Sequence, residues 1–247
     1  MWKLFQKNAK AANIPPTGLA CTMANFGSGR GYKGGAWYDA MEFKQKNIIK
    51  TLSSQPDGWG GLFVDLDVQF FPGDAVKEFQ EQCRGFDVCF MPEHYWTTDG
   101  SRVSAGGGVN AGFLFTNNNA RSRAFFKDVL KRVLSYPRSE LRAKMPLADQ
   151  SVIQDMLKVP SGEAYDNNEH KLKWKTFKPN SVIGCCNGCH KVPPDALKEA
   201  YAHHAIACDT IGGRNNNKRR AFKALRRAVL QIQGTKDASP SILDMKL

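Results

Sequence analysis

Apolar residues along the chain fall into short continuous runs and into stripes at helical spacing, and the two kinds alternate. That alternation predicts an α/β fold with a central sheet flanked by helices. The most continuous run, Gly-Leu-Phe-Val-Asp-Leu-Asp-Val-Gln-Phe-Phe over residues 61–71, reads as one buried central strand. Shorter runs at 18–24, 86–91, 110–115 and 171–177 predict further strands. Helical stripes cover 37–52, with Met41, Ile48, Ile49 and Leu52 inward, and 120–134, with Phe125, Phe126, Val129, Leu130, Val133 and Leu134 on one face. Another helix starts near Asp149, with Val152, Ile153, Met156 and Leu157 inward. Asn119 and Asp74 stand where N-caps belong, the latter before a short helix reaching about Cys83. A basic amphipathic helix is predicted over 217–233.

Between these elements, residues 55–58 (Gln-Pro-Asp-Gly) have turn chemistry. The glycine-rich stretch 27–35 lacks the Gly-Lys-Ser/Thr ending of a phosphate-binding loop, and reads as a site border or a surface loop. Residues 93–108 show no clear period and end in three glycines, which predicts a mobile loop. With no internal repeat and no long linker, the chain reads as a single domain over 1–247, its basic helical C-terminal segment covering about 214–247. No run approaches the roughly 20 apolar residues that span a bilayer. The segment 1–7 is amphipathic and too polar for the apolar core of a signal peptide. These features predict a cytoplasmic protein, soluble or peripherally associated with a membrane.

Composition adds a net charge of +12, a field that attracts anions without choosing among nucleic acid, anionic membrane and phosphorylated small molecules. The seven cysteines are an odd number, so they cannot all pair within the chain. Most have apolar neighbours, as Cys89 does, which suits buried reduced thiols and a reducing compartment. Cys185, Cys186 and Cys189, with His190, His203 and Cys208, only partly match the paired knuckles of a structural zinc site. Reduced thiols or one local disulfide fit that spacing better.

The chemistry centres on Asp65 and Asp67. Carboxylates at i and i+2 of an extended segment point to one side. Next to an apolar run they are costly unless paired or metal-bound. Two hard oxygen donors side by side suit Mg²⁺ or Mn²⁺, which in turn holds a diphosphate. The plainer alternative is a pair of acids at a strand's solvent end, neutralised by Lys or Arg. Phosphohydrolases that use an aspartate nucleophile also begin with strand and Asp-x-Asp. They usually carry Thr or Val where this chain has Gln69, and a later acidic cluster, whereas no Asp-Asp pair occurs here.

Taken in order, the motifs resemble the nucleotide-diphospho-sugar transferases of the GT-A fold. They are a helix with Lys46, then Phe-Val-Asp-Leu-Asp-Val-Gln-Phe-Phe-Pro over 63–72, then Asn-Ala-Gly-Phe-Leu-Phe over 110–115 before a helix. Asp149-Gln150 opening a helix and a late His204 with Lys218 downstream complete the set. The resemblance implies a Rossmann-like mixed sheet and a glycosyltransferase of the Asp-x-Asp type. It would move sugar from a nucleotide-diphosphate donor to a hydroxyl of a glycan, glycoprotein or glycolipid, with Mn²⁺ or Mg²⁺. It implies that Asp65 contacts the donor ribose and approaches the metal, that Asp67 ligates it, and that His204 is the third protein ligand. Asn110 and Gly112 would border the sugar pocket, Asp149 would bond sugar hydroxyls with Gln150 near the anomeric carbon, and Lys218 with Arg219 would neutralise the departing diphosphate. The Asn-x-Gly and Asp-Gln pattern is closer to retaining members.

Each role has a plainer alternative on the residues alone. His203 and His204 also read as a core or surface pair, Asp149 as a helix N-cap, and Lys46 as part of a solvated helix face. Lys218, Arg219, Arg220, Lys223, Arg226 and Arg227 read as a charged helix face opposite Phe222, Leu225, Val229 and Ile232. Such a helix is a candidate for contact with an anionic membrane surface. A basic nucleic-acid-binding module accounts for the charge but not for two aspartates on a buried run, so nucleic acid is not expected as partner.

Overall fold

The computed structural model describes residues 5–6, 9–10, 14, 35–71, 73–97, 100–136, 149–157, 170–185, 189–205 and 214–234. The predicted strand at 18–24 and the glycine-rich stretch up to residue 34 lie outside them, as do Cys21, Cys186 and Cys208. Strands and helices alternate as the pattern requires: α1 (Gly35–Ser54), β1 (Gly60–Val64), β2 (Val68–Phe70), α2 (Ala75–Gln82), β3 (Val88–Trp96), β4 (Arg102–Asn117), α3 (Ala120–Ser135) and α4 (Asp149–Leu157). They continue with β5 (Trp174–Thr176), β6 (Val182–Gly184), a 3₁₀ turn (Cys189–Lys191), α5 (Pro194–Lys198), β7 (Ala202–His204) and α6 (Arg214–Gln233).

Two mixed sheets result. One has the order β1-β4-β3-β5, antiparallel except for the β3–β5 pair, and the other has the order β2-β7-β6, with β6 and β7 parallel. Alternation along β3 separates two cores. Val88 and Phe90 face α1, α3 and α4, meeting Ile48, Leu52, Phe126, Val129, Ile153 and Met156. Cys89 and Met91 face α2 and the second sheet, where Phe70, Phe79, Phe113 and Phe177 gather. The rings of Phe79, Phe113 and Phe177 meet edge to face, with centroids 4.9 Å apart for Phe79–Phe113 and Phe79–Phe177. A third cluster seats α6 through Ala221, Phe222, Leu225 and Val229.

Three predicted elements change form. The run 61–71 is not one central strand: it breaks at residues 65–67, and its first half, β1, is an edge of its sheet among the described residues. Residues 93–108 are not a loop over most of their length, because β3 and β4 pair as a long antiparallel ribbon from Met91↔Asn110 out to Trp96↔Arg102. Strand β5 is shorter than the predicted 171–177. Helix starts are mixed. Asn119 caps α3 by accepting from the Ser122 N–H, with Ser122 reciprocating, whereas Asp74 precedes α2 without a side-chain cap bond. Within the stripe of α3, Leu134 is exposed. Arg226, expected on the charged face of α6, is buried and donates to the Phe70 carbonyl at 3.0 Å.

Candidate metal and donor-binding site

The break in the 61–71 run is what builds the site. Between β1 and β2 the chain turns, with the Val68 N–H donating to the Asp65 carbonyl at 3.2 Å and the Asp65 N–H donating to the Gly112 carbonyl at 2.8 Å. Asp65 and Asp67 are therefore brought together by a turn and not by the two-residue period of a strand. Strand β7 closes the third side: Val68 pairs with His204, and the Ala205 N–H donates to the Asp67 carbonyl at 3.0 Å. As a result one ligand-type atom each from Asp65, Asp67 and His204 lies within 4.8 Å of the others. Nε2 of His204 stands 3.2 Å from Oδ1 of Asp67. Its Nδ1 is buried without a hydrogen-bond partner, so the ring is held from its Nε2 side.

These groups fit a divalent ion. Adjacent ligands around an octahedral ion with bonds of about 2.1 Å lie about 3 Å apart, close to the His204–Asp67 separation. The two carboxylates suit Mn²⁺ and Mg²⁺ alike, and the imidazole donor favours the softer transition ion, Mn²⁺, over Mg²⁺. The cradle also leaves no spare volume on the protein side. A Cβ at Gly112 would meet Cε1 of His204 at 2.4 Å, Oδ2 of Asp65 at 2.6 Å and Oδ1 of Asn110 at 3.0 Å.

A slip in strand register supplies the second half of the site. Phe90 pairs with Leu114 but Met91 pairs with Asn110, so Ala111, Gly112 and Phe113 bulge out of the β3–β4 ladder. Bulges re-aim side chains and are common beside functional sites. Here the bulge places Asn110 and Gly112 against the aspartate turn and leaves the backbone of Ala111 to be bonded by side chains. Gln150 accepts from the Ala111 N–H at 3.1 Å, and Lys44 donates to the Ala111 carbonyl at 3.3 Å.

A buried polar chain then runs across the site. Lys44 Nζ stands 3.0 Å from Asp149 and 3.5 Å from Oδ1 of Asp65. Gln45 donates to Asp149 at 2.8 Å, and the Gln150 N–H donates to its other oxygen at 3.0 Å. Gln150 and Asn110 both donate to Oε2 of Glu93, at 3.0 and 2.8 Å, while Asn110 accepts from the Gly112 N–H at 2.8 Å. Asn110 and Gln150 each have the amide donor on an acceptor and the amide acceptor on a donor, as a buried network requires, whereas the Gln45 side-chain oxygen is buried without a partner. Burial opposes the charge of Lys44, but Asp149 and Asp65 outweigh it and hold its pKa well above the usual lysine value. Burial raises the pKa of Glu93, and Asn110, His204 and Gln150 offset only part of that rise.

The structure thus unites seven of the residues singled out in the sequence: Asp65, Asp67, His204, Asn110, Gly112, Asp149 and Gln150. Asp149 begins α4, and its side chain accepts from the N–H of the next residue, Gln150, and not from two or three residues on as an N-cap does, while it also pairs with Lys44. Lys46 is on the solvated face, paired with Glu42. The backbone of Lys218 and Arg219 lies in α6, and their side chains lie outside what the structure describes. His203 and His204 part company, because neighbours on a strand face opposite ways. His203 faces Gln69 and the bonded pair Cys185–Cys189, and burial pushes its pKa down to about 4. That disulfide corrects the picture of reduced thiols at this cluster in favour of the local bridge, while Cys83 and Cys89 are buried thiols.

Lys44, Gln45 and Glu93 were missed. Lys44 and Gln45 lie one turn before Ile48 and Ile49, so two polar residues occupy the inward stripe of α1, a signal that was available. Glu93 follows Pro92 and the glycines beyond it mask the strand; only its two-residue spacing from Met91 hints at an inward position. Comparison with protein-family models, with curated proteins and with solved structures gives no match to this chain.

Proposed function

We propose that this protein is a divalent-metal-dependent glycosyltransferase with a GT-A-like arrangement, taking its sugar from a nucleotide-diphosphate donor. The observation that carries the reading is the convergence of Asp65, Asp67 and His204 beside the Asn110–Gly112 bulge and the Asp149–Gln150 helix start. A site for phosphate-bound metal and a buried array of hydrogen-bonding side chains for hydroxyls stand side by side, as transfer from a sugar nucleotide requires.

Asp67 and His204 would hold Mn²⁺ or Mg²⁺ together with Asp65, whose Oδ2 faces them past Gly112 while Lys44 takes Oδ1. The ion supplies Lewis-acid stabilisation of the negative charge that grows on the departing diphosphate. The rest falls to the chain. Asp149, Gln150, Asn110 and Glu93 orient the sugar hydroxyls from fixed positions, and the α6 cations, Lys218 among them, add positive potential for the leaving group. The carboxylates around the site are already engaged: Asp149 by Lys44, Gln45 and Gln150, and Glu93 by Asn110 and Gln150. This supports a retaining course, which needs no carboxylate base at the acceptor hydroxyl. The acceptor would be a glycan, glycoprotein or glycolipid. No described helix is long and apolar enough to cross a membrane.

The test is a thermal-shift panel of UDP- and GDP-sugars, each with and without Mn²⁺, on wild-type protein and on Asp67→Ala. One donor is expected to raise the melting temperature only with Mn²⁺ and only in the wild type. A panel with no metal-dependent shift, for protein whose Asp67→Ala variant melts normally, would count against the proposal.

A further inference from the structure

On the side of β7 away from the metal ligands, His203 packs against the Cys185–Cys189 bridge. Nε2 of His203 lies 2.9 Å from the Cys185 carbonyl oxygen, 3.4 Å from Cys185 Sγ and 3.8 Å from Cys189 Sγ. Gln69 fixes the tautomer. Its amide nitrogen donates one hydrogen to the Phe222 carbonyl at 3.1 Å and the other to Nδ1 of His203 at 2.9 Å. Nδ1 is then an acceptor, so the ring hydrogen sits on Nε2 and points at Cys185. With that hydrogen in place and the sulfurs bonded to each other, the two cysteines and the imidazole do not offer the deprotonated donors that a zinc ion needs.

Cys185 also ties three strands together. It bridges Trp96 at the end of β3, its N–H donates to the carbonyl of His204 at 3.3 Å, and Gly184 beside it pairs with His204. A displacement of Cys185 therefore reaches the backbone of a metal ligand through one hydrogen bond. A bridge across a sequence separation of four constrains the unfolded chain little, so its effect is local rather than global.

We infer that Cys185–Cys189 is a redox-responsive site whose state sets how firmly His204 is held for metal binding; this rests on the metal-site reading above. The reductant is a dithiol. One of its thiolates attacks Sγ of Cys189, which belongs to the less buried of the two residues (5% exposed against 0%), and the electron pair of the S–S bond leaves on Sγ of Cys185, the sulfur nearer the His203 N–H. The second thiol of the reductant then displaces Sγ of Cys189 and departs as a cyclic disulfide. Two protons complete the two protein thiols. The sulfurs, no longer bonded, must separate to van der Waals distance inside a packed cluster, which displaces Cys185 or the Cys189–Lys191 turn.

The experiment is a calorimetric Mn²⁺ titration of the full chain, oxidised and again after reduction with dithiothreitol and anaerobic desalting. Differential alkylation with peptide mapping reports the thiols at 185 and 189 in the same samples. Reduction is expected to weaken Mn²⁺ binding about tenfold, as loss of groups that orient a metal ligand does. The double variant Cys185→Ser/Cys189→Ser is expected to bind like the reduced protein and to ignore dithiothreitol. Equal affinity in both forms, with both thiols shown to be released, overturns the inference and leaves the metal site standing. Alkylation of both positions without any reductant, or stoichiometric zinc that only the double variant loses, overturns it as well. Absence of Mn²⁺ binding in every form instead removes the metal-site reading, and the coupling goes with it.

Discussion

Gly112 approaches His204 so closely that a Cβ on the glycine would stand 2.4 Å from the imidazole Cε1, and 2.6 Å from Oδ2 of Asp65. The bulged strand and His204 of β7 share one space, and only a residue without a side chain leaves the imidazole and the Asp65 carboxylate where they are. Gly112→Ala is expected to force the imidazole and the carboxylate aside. Overpacking of this kind costs about 1–3 kcal/mol. Mn²⁺ affinity should fall by at least about tenfold, since the ligands lose their mutual placement. Urea unfolding and calorimetric titration of the same preparation check the two effects, and wild-type affinity in the variant would remove Gly112 from the site.

Lys44 links Asp149 to Asp65, and its loss should lower stability without lowering metal affinity. The Asp149 side chain is 2% exposed, so Lys44→Met leaves a buried carboxylate with only neutral donors, Gln45 and the Gln150 N–H. Breaking such a pair costs about 3 kcal/mol. A cation near Asp65 has meanwhile been removed, so Mn²⁺ binding is expected to be unchanged or tighter. Adding Asp149→Asn to Lys44→Met should recover most of the lost stability, because no buried charge then lacks its counter-ion. A double-mutant cycle by urea unfolding measures this, and an additive pair would show that the two residues are not coupled.

The helices were legible because each buries a stripe: Phe125, Phe126, Val129 and Val133 on α3, and Val152, Ile153 and Met156 on α4, lie where the 3.6-residue period puts them. Asn119 was legible because a cap is a local device. What failed was non-local. The 61–71 run has the composition of a continuous strand, and only the pairing of Val68 with His204 on a second sheet shows why it turns at Asp67. The ribbon beyond Met91 was hidden by Pro92 and by the glycines of β4, residues that propensity assigns to loops but that pairing with a partner strand overrides. The site residues were visible by type; their assembly through the Ala111–Phe113 bulge was not, because a bulge is a relation between two strands.

Asp87 is the structural counterpart of the site's acids, and it predicts acid lability. Its carboxylate accepts from Arg121 Nε and Arg121 NH2 at 2.8 Å each, from Asn119 at 2.8 Å and from the Lys173 N–H at 2.8 Å. Burial alone would raise its pKa, but these hydrogen bonds and the Arg121 charge hold it below the usual carboxylate value. With the folded value depressed, the unfolded chain takes up the proton first. Stability is therefore fully present above about pH 4, the unfolded value, and is lost as pH falls through the folded one. Asp87→Asn is expected to cost about 2 kcal/mol at pH 7. The gap to wild type should narrow as the pH is lowered towards 2.5, and melting temperatures over that range check it.

Glu93 has the opposite sign, and this separates its structural role from its functional one. Burial lifts its pKa, so the folded state holds the proton to higher pH than the unfolded chain does, and stability falls as pH rises from about 4.3 through the folded value. Glu93→Gln removes the buried charge and keeps an oxygen to accept from Asn110 and Gln150, the two donors that meet Oε2. The variant is therefore expected to be more stable than wild type at pH 8, by about 1 kcal/mol, and equal to it near pH 4. Donor affinity should move the other way and drop about tenfold, because a carboxylate facing sugar hydroxyls binds them more strongly than an amide does. Chemical unfolding at the two pH values gives the first result and titration with the donor found in the thermal-shift panel gives the second. A variant less stable at both pH values would mean that the carboxylate charge is compensated in the fold, and Glu93 would then belong to the scaffold rather than to the donor pocket.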